Sequence, residues 1–263
     1  MSNPTENAEW TSRLPLARGA SVAATGPGGL LALEKPAGVM THPNKADDRH
    51  ASLLQADYDH ERECFVWKST GPDDPGQLFL LNRLDSPTSG LVLAALNEET
   101  AVAGRRAFAS GRVHKCYFAL VRGRPRPSQG IWADPLGRMP HRGSAPQHGV
   151  RMGVGRPGAG PTQMAKTHYE SVETHPHAGS PLTLLKLEPI TGRTHQLRVQ
   201  CGFHGVPIVG DGTYGDFLFN REFARRTGHK RMFLHAASLR IPSLGFSAES
   251  PVPANFSEGL GSA

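Results

Sequence analysis

Cysteine is scarce in this chain. Cys64, Cys116 and Cys201 stand far apart and form neither a CxxC pair nor a zinc-ligand spacing. That rules out a disulfide framework or a structural zinc centre as the organising device, and an odd, sparse count suits a reducing compartment. No apolar run approaches the length needed to cross a bilayer. The N-terminus lacks a basic start followed by an apolar stretch and a cleavage site. A soluble, cytoplasmic protein with no membrane partner is therefore expected. The glycine-rich run Gly153-Val154-Gly155-Arg156-Pro157-Gly158 lacks the GK[ST] ending and the following helix of a phosphate loop, so that kind of nucleotide site is excluded. Lysine is far outnumbered by arginine, the net charge is +6 and the pI is near 9.5. A basic balance favours a polyanionic partner, although many basic proteins bind no nucleic acid.

The stretch that organises the 263 residues is Leu81 to Asn97, LNRLDSPTSGLVLAALN. An apolar run ends in Arg83-Leu84-Asp85, turn chemistry follows from Ser86 to Gly90, and Leu91 to Leu96 is long enough for a buried strand. Asp85 thus sits on a loop beside the core, where a carboxylate is costly to bury unless paired. It reads either as a turn aspartate bonding its own backbone or as a catalytic carboxylate carried by a rigid sheet.

Around this stretch the chain alternates strands with a few helices. Residues 1–24 are polar and aperiodic and predict a flexible tail, followed by a single domain over 25–263. Gly28 to Val39 reads as a strand and a turn, with Lys35 an exposed strand-end lysine. Ala51 to Tyr58 predicts a short helix. Glu98 to Gly111 predicts a helix stopped by glycine, and Val113 to Gly123 alternates as a strand, in which Tyr117 reads as a half-buried sheet tyrosine. Residues 124–164, rich in Pro and Gly, predict loops and short edge strands. Lys166 to Glu173 and Pro181 to Leu187 predict a hairpin. A helix is expected from Thr194 to about Phe203, with Arg193 at its N-terminus and Arg198 one turn further on. A second, basic helix over Asn220 to Thr227 carries Arg221, Arg225 and Arg226. Met232 to Ile241 predicts a strand, and the tail after Pro242 is expected on the surface. Each arginine, taken alone, also reads as a solvated face.

Asn82-Arg83-Leu84-Asp85, with Thr88-Ser89-Gly90, resembles the HRLDxxTSG motif of the RluA-type pseudouridine synthases. Four further segments follow that family in order. KPAGVMTHP is similar to its first motif, and the segment from Lys115 to Gly123 to KxYxAlVxG. The segment from Thr191 through Gly215 is similar to TGRxHQIRxH followed by GxPIxGDxxYG, and LHAASL to its last motif, LHAxxL. The basic insertion from Asn220 onward resembles the tRNA pseudouridine-65 synthase branch. The family's usual histidine is replaced here by Asn82, and no S4 RNA-binding module is expected before Gly28.

The resemblance implies an α+β fold, with a mixed, mostly antiparallel sheet, a central catalytic cleft and flanking helices. It implies isomerisation of a specific uridine in RNA, with tRNA the first choice of substrate and 23S ribosomal RNA the second. No cofactor, no metal and a monomer are implied. Asp85 falls on the essential aspartate, Tyr117 on the tyrosine that lies against the target base, and Arg198 on the arginine assigned to hold Asp85 charged. Arg83, Arg193, His195, Leu234, Arg221 and Arg225 are the candidate substrate-binding residues. Two other readings carry distinct expectations. A non-catalytic RNA-binding module has no reason to keep Asp85, Tyr117 and Arg198 together. A glycosidase-type hydrolase needs a second carboxylate, for which Glu188 is the nearby candidate.

Overall fold

The computed structural model describes residues 11–69, 71, 74–139, 151–155, 160–177 and 179–261. The chain divides into two compact units. The first comprises Met1–His114 and Ala236–Pro251, the second Lys115–His235 and Val252–Ala263.

In the first unit, β1 (Ser21–Gly26), β2 (Leu30–Lys35), β3 (Asp57–Asp59), β4 (Cys64–Val66), β5 (Gln77–Leu80) and β6 (Ser89–Ala95) precede helix α1 (Glu98–Ala109). β6 is the centre of this unit. It is buried along its whole length, which is why it reads as a continuous apolar run. β2 pairs with it antiparallel from Leu30↔Ala95 to Lys35↔Gly90. β5 pairs with it at Phe79↔Ala95 and Leu80↔Ala94, and β4 and β3 follow outward. β1 lies on β2. Leu91, Leu93 and Ala95 point into a core shared with Leu30, Phe79, Ala101 and Leu239. Gly90 has φ 105, and a Cβ there would lie 2.3 Å from the Ala236 carbonyl oxygen, so only glycine admits this approach. Helix α1 is capped by Asn97, whose Oδ1 accepts the Thr100 N–H at 2.9 Å.

β7 (His114–Arg122), β8 (Gln129–Arg138), β9 (Met152–Val154), β10 (Thr162–His175) and β11 (Leu182–Pro189) precede helices α2 (Gln196–Phe203) and α3 (Phe217–Thr227). β12 (Leu234–Ile241) and β13 (Phe246–Glu249) form an antiparallel pair, and α4 (Asn255–Gly261) ends the chain. The second unit's strands run in the order β7-β11-β10-β8-β9, antiparallel throughout. Its core gathers Leu120, Leu182, Val209, Phe223, Phe233 and Phe256. The fold is α+β, with a mostly antiparallel sheet and a few helices, as expected.

Several local expectations are corrected. Residues 1–10 lie outside the described residues, but the supposed tail is pinned from residue 11 onward. Leu14 and Ala17 are buried, Leu16 bridges Leu54, and β1 begins at Ser21. The helix expected over Ala51 to Tyr58 is absent. A 3-10 helix at Ala46–Ala51 and β3 stand there instead, because Leu53, Leu54 and Ala56 are buried as an extended segment. Within 124–164, β8 is a ten-residue strand that tolerates Pro135 opposite Met164; its exposed alternation was masked by Pro and Gly. Residues 140–150 and 156–159, including part of the rejected phosphate-loop run, lie outside the described residues. The C-terminal tail is anchored by Phe246 and Phe256.

Candidate active site

Asp85 is half-buried on the loop between β5 and β6, and the loop is held at alternate residues on both sides of it. Leu81 N–H donates to the Leu93 carbonyl at 2.9 Å, continuing the β5–β6 ladder. At the next residue the chain leaves the strand. The Asn82 side-chain oxygen then accepts the Leu93 N–H at 2.7 Å, in place of a backbone acceptor. At Leu84 both backbone groups engage the buried Thr41 hydroxyl. It donates to the Leu84 carbonyl at 2.8 Å and accepts the Leu84 N–H at 3.1 Å. At Ser86 the hydroxyl donates to the Gly38 carbonyl at 2.9 Å, and the Ser86 carbonyl accepts the Gly38 N–H at 2.8 Å. The Asp85 carbonyl accepts the Thr88 N–H at 3.0 Å, closing the turn.

Lys35 corrects the sequence reading. It is fully buried, not an exposed strand end. An ammonium is costly to bury unless its donors are met. Its Nζ donates to the carbonyls of Pro36 at 2.9 Å, Val39 at 2.6 Å and Ser86 at 3.0 Å. The KPAG turn and the Asp85 loop are thereby tied together. Lys35, Thr41 and Asn82 were not among the expected site residues. The signal for Lys35 was available: a lysine ending a strand that opens with four apolar residues, directly before a turn.

Arg83 is exposed, and its Nη1 lies 3.4 Å from His42 Nε2. His42 Nδ1 lies 3.0 Å from the Pro43 carbonyl, so Nδ1 carries the proton and Nε2 accepts. Burial holds the His42 pKa below its ordinary value, which keeps the ring neutral. The ring stacks on Tyr58 at 5.0 Å.

In the second unit, Tyr117 is buried on β7 opposite Leu187. Its neighbour Cys116 is half-buried, and burial pushes the thiol up to about 11. Lys115 donates to the Thr191 carbonyl at 3.2 Å, and burial brings it down to about 8. Leu234 is buried at the start of β12. Helix α2 starts two residues later than expected. Arg193 therefore precedes it, exposed, with Nε 3.4 Å from the Met164 carbonyl. His195 is the N-cap at φ 53, an uncommon left-handed conformation for a residue with a side chain.

Arg198 is buried on α2 and makes a bidentate pair with Asp211, which sequence reasoning did not foresee. Nε lies 2.8 Å from Oδ2 and Nη2 lies 2.9 Å from Oδ1. Asp211 also accepts the N–H groups of Thr213 at 2.8 Å and Tyr214 at 3.0 Å. Burial would raise the Asp211 pKa. The Arg198 hydrogen bonds and charge, with these N–H groups, outweigh it and hold the carboxyl below its ordinary value. The Arg198 guanidinium lies over the Tyr214 ring at 5.1 Å, and the Tyr214 hydroxyl lies 2.8 Å from His195 Nδ1. The structure thus gathers Arg198 and His195 around Tyr214. Beneath α2 runs a buried polar chain: Gln196 to Thr167 at 2.9 Å, Thr167 to Gln200 at 2.6 Å, and Gln200 to Asp134 at 2.8 Å. Arg221 and Arg225 stand exposed on α3, Arg225 paired with Glu222 at 2.7 Å. Among the described residues, no three His, Cys, Asp or Glu side chains group as metal ligands. Among them, too, no helix is long and apolar enough to cross a membrane.

A model of the RNA pseudouridylate synthase family matches residues 29–202. The bovine RNA pseudouridylate synthase domain-containing protein 1 is 36% identical over 179 residues, 68% of this chain and 56% of that protein. The chain therefore spans only about half the length of that relative. The tRNA pseudouridine synthase C of Haemophilus ducreyi is 31% identical over 220 residues, 81% of each chain. The solved structure of human RNA pseudouridylate synthase domain containing 1 superposes with a TM-score of 0.65 at 30% identity, covering 89% of this chain and 83% of that one. The family match extends from the start of β2 through α2, so it takes in the clamped Asp85 loop, the β7 tyrosine and the buried arginine alike, and the chain belongs to the RNA pseudouridylate synthase family.

Proposed function

We propose that this chain isomerises a specific uridine to pseudouridine in structured RNA, with Asp85 as the catalytic carboxylate. The observation that carries the reading is the Asp85 loop, fixed by polar contacts at Asn82, Leu84 and Ser86, so that a half-buried carboxylate is presented on rigid backbone. In the reaction the C1′–N1 bond breaks, the base turns, and C1′ joins C5. The C5 proton is lost and N1 gains one, so no electrons leave and no cofactor or metal is required. Asp85 acts as the anion, either attacking C1′ or taking a ribose proton. Tyr117 stacks on the uracil and assists transfer of the C5 proton. Arg198 supports the charge at the site from α2, its orientation set by Asp211. Arg83, Arg193 and His195 line the approach of the substrate, Leu234 contributes an apolar floor, and Arg221 and Arg225 contact the RNA backbone.

The substrate is tRNA by first choice. The relative named tRNA pseudouridine synthase C matches over 81% of both chains, and the basic insertion at α3 resembles that branch. The target base must leave its stack, which costs least in a loop. The protein acts as a monomer in the cytoplasm, a location in keeping with its sparse, unpaired cysteines.

The test is Asp85→Asn, nearly isosteric but never anionic. Tritium release from [5-³H]uridine-labelled tRNA is expected to disappear, with the melting temperature and tRNA affinity kept. Clear residual turnover would remove Asp85 from its role. Release from 23S ribosomal RNA and not from tRNA would reassign the substrate.

A further inference from the structure

Helix α3 carries a feature that the proposed chemistry does not use. Phe217 and Leu218 are 61% and 72% exposed. Scattered exposed apolar residues are ordinary, but these two are adjacent and open a helix. Residues three and four apart share a helix face. Arg221 is four residues from Phe217 and three from Leu218, and Arg225 is four further on. Phe217, Leu218, Arg221 and Arg225 therefore form one solvent-facing stripe, all exposed.

The opposite face is firmly seated. Phe223 is buried and meets Phe233 edge-on at 5.6 Å, and the Arg122 guanidinium lies over Phe219 at 5.2 Å. Asp216 caps the helix through the Phe219 N–H at 2.9 Å and is ion-paired with Arg122. Asn220 ties α3 to the loop that fixes Arg198. Its Oδ1 accepts the Gly210 N–H at 2.8 Å, and its Nδ2 donates to the Asp211 carbonyl at 3.0 Å. The exposed pair is thus held on a rigid support, hydrogen-bonded through Asn220 to the residue whose carboxylate orients the buried arginine.

We infer that Phe217 and Leu218 form an apolar contact for unpaired nucleotides of the RNA substrate, with Arg221 and Arg225 taking the adjoining phosphates. The inference rests on the RNA reading above and adds a recognition element to it. Charge decides the occupant. The stripe continues into arginines, with Glu222 the lone acid within α3 and already paired to Arg225, so it fits a polyanion with apolar faces. Single-stranded RNA has both properties, because every base offers a π-face for an aromatic ring while its phosphates meet guanidinium groups.

Stacking and phosphate contacts separate by salt. A phosphate contact contributes to the slope of log affinity against log salt, and a stacking contact does not. Binding of a tRNA transcript and of a fully paired RNA duplex would be measured over a potassium chloride series. The proteins are the unsubstituted chain, the double variant Phe217→Ala/Leu218→Ala, Phe217→Trp and Arg221→Ala. The double variant is expected to lose roughly tenfold to a hundredfold in tRNA affinity, with an unchanged slope and unchanged duplex binding. Phe217→Trp is expected to bind at least as tightly as the unsubstituted chain, and Arg221→Ala to flatten the slope. The inference fails if the double variant binds tRNA normally, or if its slope falls as that of Arg221→Ala does. It also fails if sedimentation shows a dimer that the double variant dissolves with RNA affinity untouched, which would assign the patch to a second copy of the chain. A chain that binds tRNA in this way yet releases tritium from neither tRNA nor 23S ribosomal RNA would sink the enzymatic reading and leave the contact standing.

Discussion

Asn82 completes with its side chain a ladder that its main chain abandons. The Leu93 N–H lies in a wholly buried strand, and removing its acceptor strands a buried donor at a cost of about 1–3 kcal/mol. Asn82→Ala is therefore expected to lower stability by that amount in urea unfolding, and to slow turnover because the Asp85 loop loses an anchor. Asn82→His, whose Nδ1 lies about where the carboxamide oxygen lies, is expected to keep both; equal stability of the alanine variant would refute the anchoring role. This position also marks where sequence reading stopped. The resemblance proposed Asp85, Tyr117 and Arg198 from residue types in order. It gave no role to Asn82, because the need for an acceptor at Leu93 arises only when β5 and β6 are paired in register.

Among the elements, α2 and the loop after it behave as one electrostatic unit. The Arg198–Asp211 pair is buried, so removing either partner leaves the other charge uncompensated, at a cost of about 3–5 kcal/mol. Arg198→Ala is thus a stability variant as well as a test of the proposed catalytic role, and its rate is meaningful only for the folded fraction. The pH dependence follows from Asp211. Its folded pKa lies below the ordinary value of 3.8, so its contribution is fully present above that value and is lost as pH falls through the folded pKa. Thermal melts from pH 6 down to pH 2 should show this loss setting in below about pH 4 in the unsubstituted chain. Asp211→Asn should melt lower at pH 6 with a shallower loss, and parallel curves would exclude Asp211 as the titrating group. Elements with strong local signals were read correctly, including the Asn97-capped α1 and the β10–β11 hairpin. β8 was not, since its Pro135 and its glycines speak locally for loops, and the antiparallel neighbours β10 and β9 override them. The lysine ending β2 was misjudged for a related reason. Exposure is the safe expectation for a lone ammonium, and the three carbonyls that meet it come from a turn and from a loop fifty residues away.

For the whole molecule, on the function proposed above, a net charge of +6 makes much of the affinity for RNA electrostatic, so that it falls with salt. Changing Arg221, Arg225 and Arg226 together to Ala is expected to weaken tRNA binding. It should also reduce the salt slope by about 0.7 to 0.9 for each phosphate left without its guanidinium. Because Arg225 is already engaged by Glu222, the reduction is expected to fall short of three full phosphates. The single-turnover rate at saturating tRNA should hardly change, and a rate loss as large as the affinity loss would place these arginines in the catalytic step. Charge and composition favour a polyanionic partner from the sequence alone. The division into two compact units was not legible there, because it is a property of contacts between distant segments, with residues 236–251 returning to the first unit and 252–263 to the second.

Cys116 offers an experimental handle. Cys64 and Cys201 are buried, while Cys116 is half-exposed on β7 immediately before Tyr117. Successive strand residues face opposite sides of a sheet, so a fluorophore attached to Cys116 would ride on the tyrosine's own backbone without crowding its ring. The thiolate is the form that reacts, and with the thiol pushed up to about 11 little of it exists at neutral pH. Conjugation therefore has to be run in alkaline buffer, and the same chemistry protects the untreated protein from adventitious oxidation during purification.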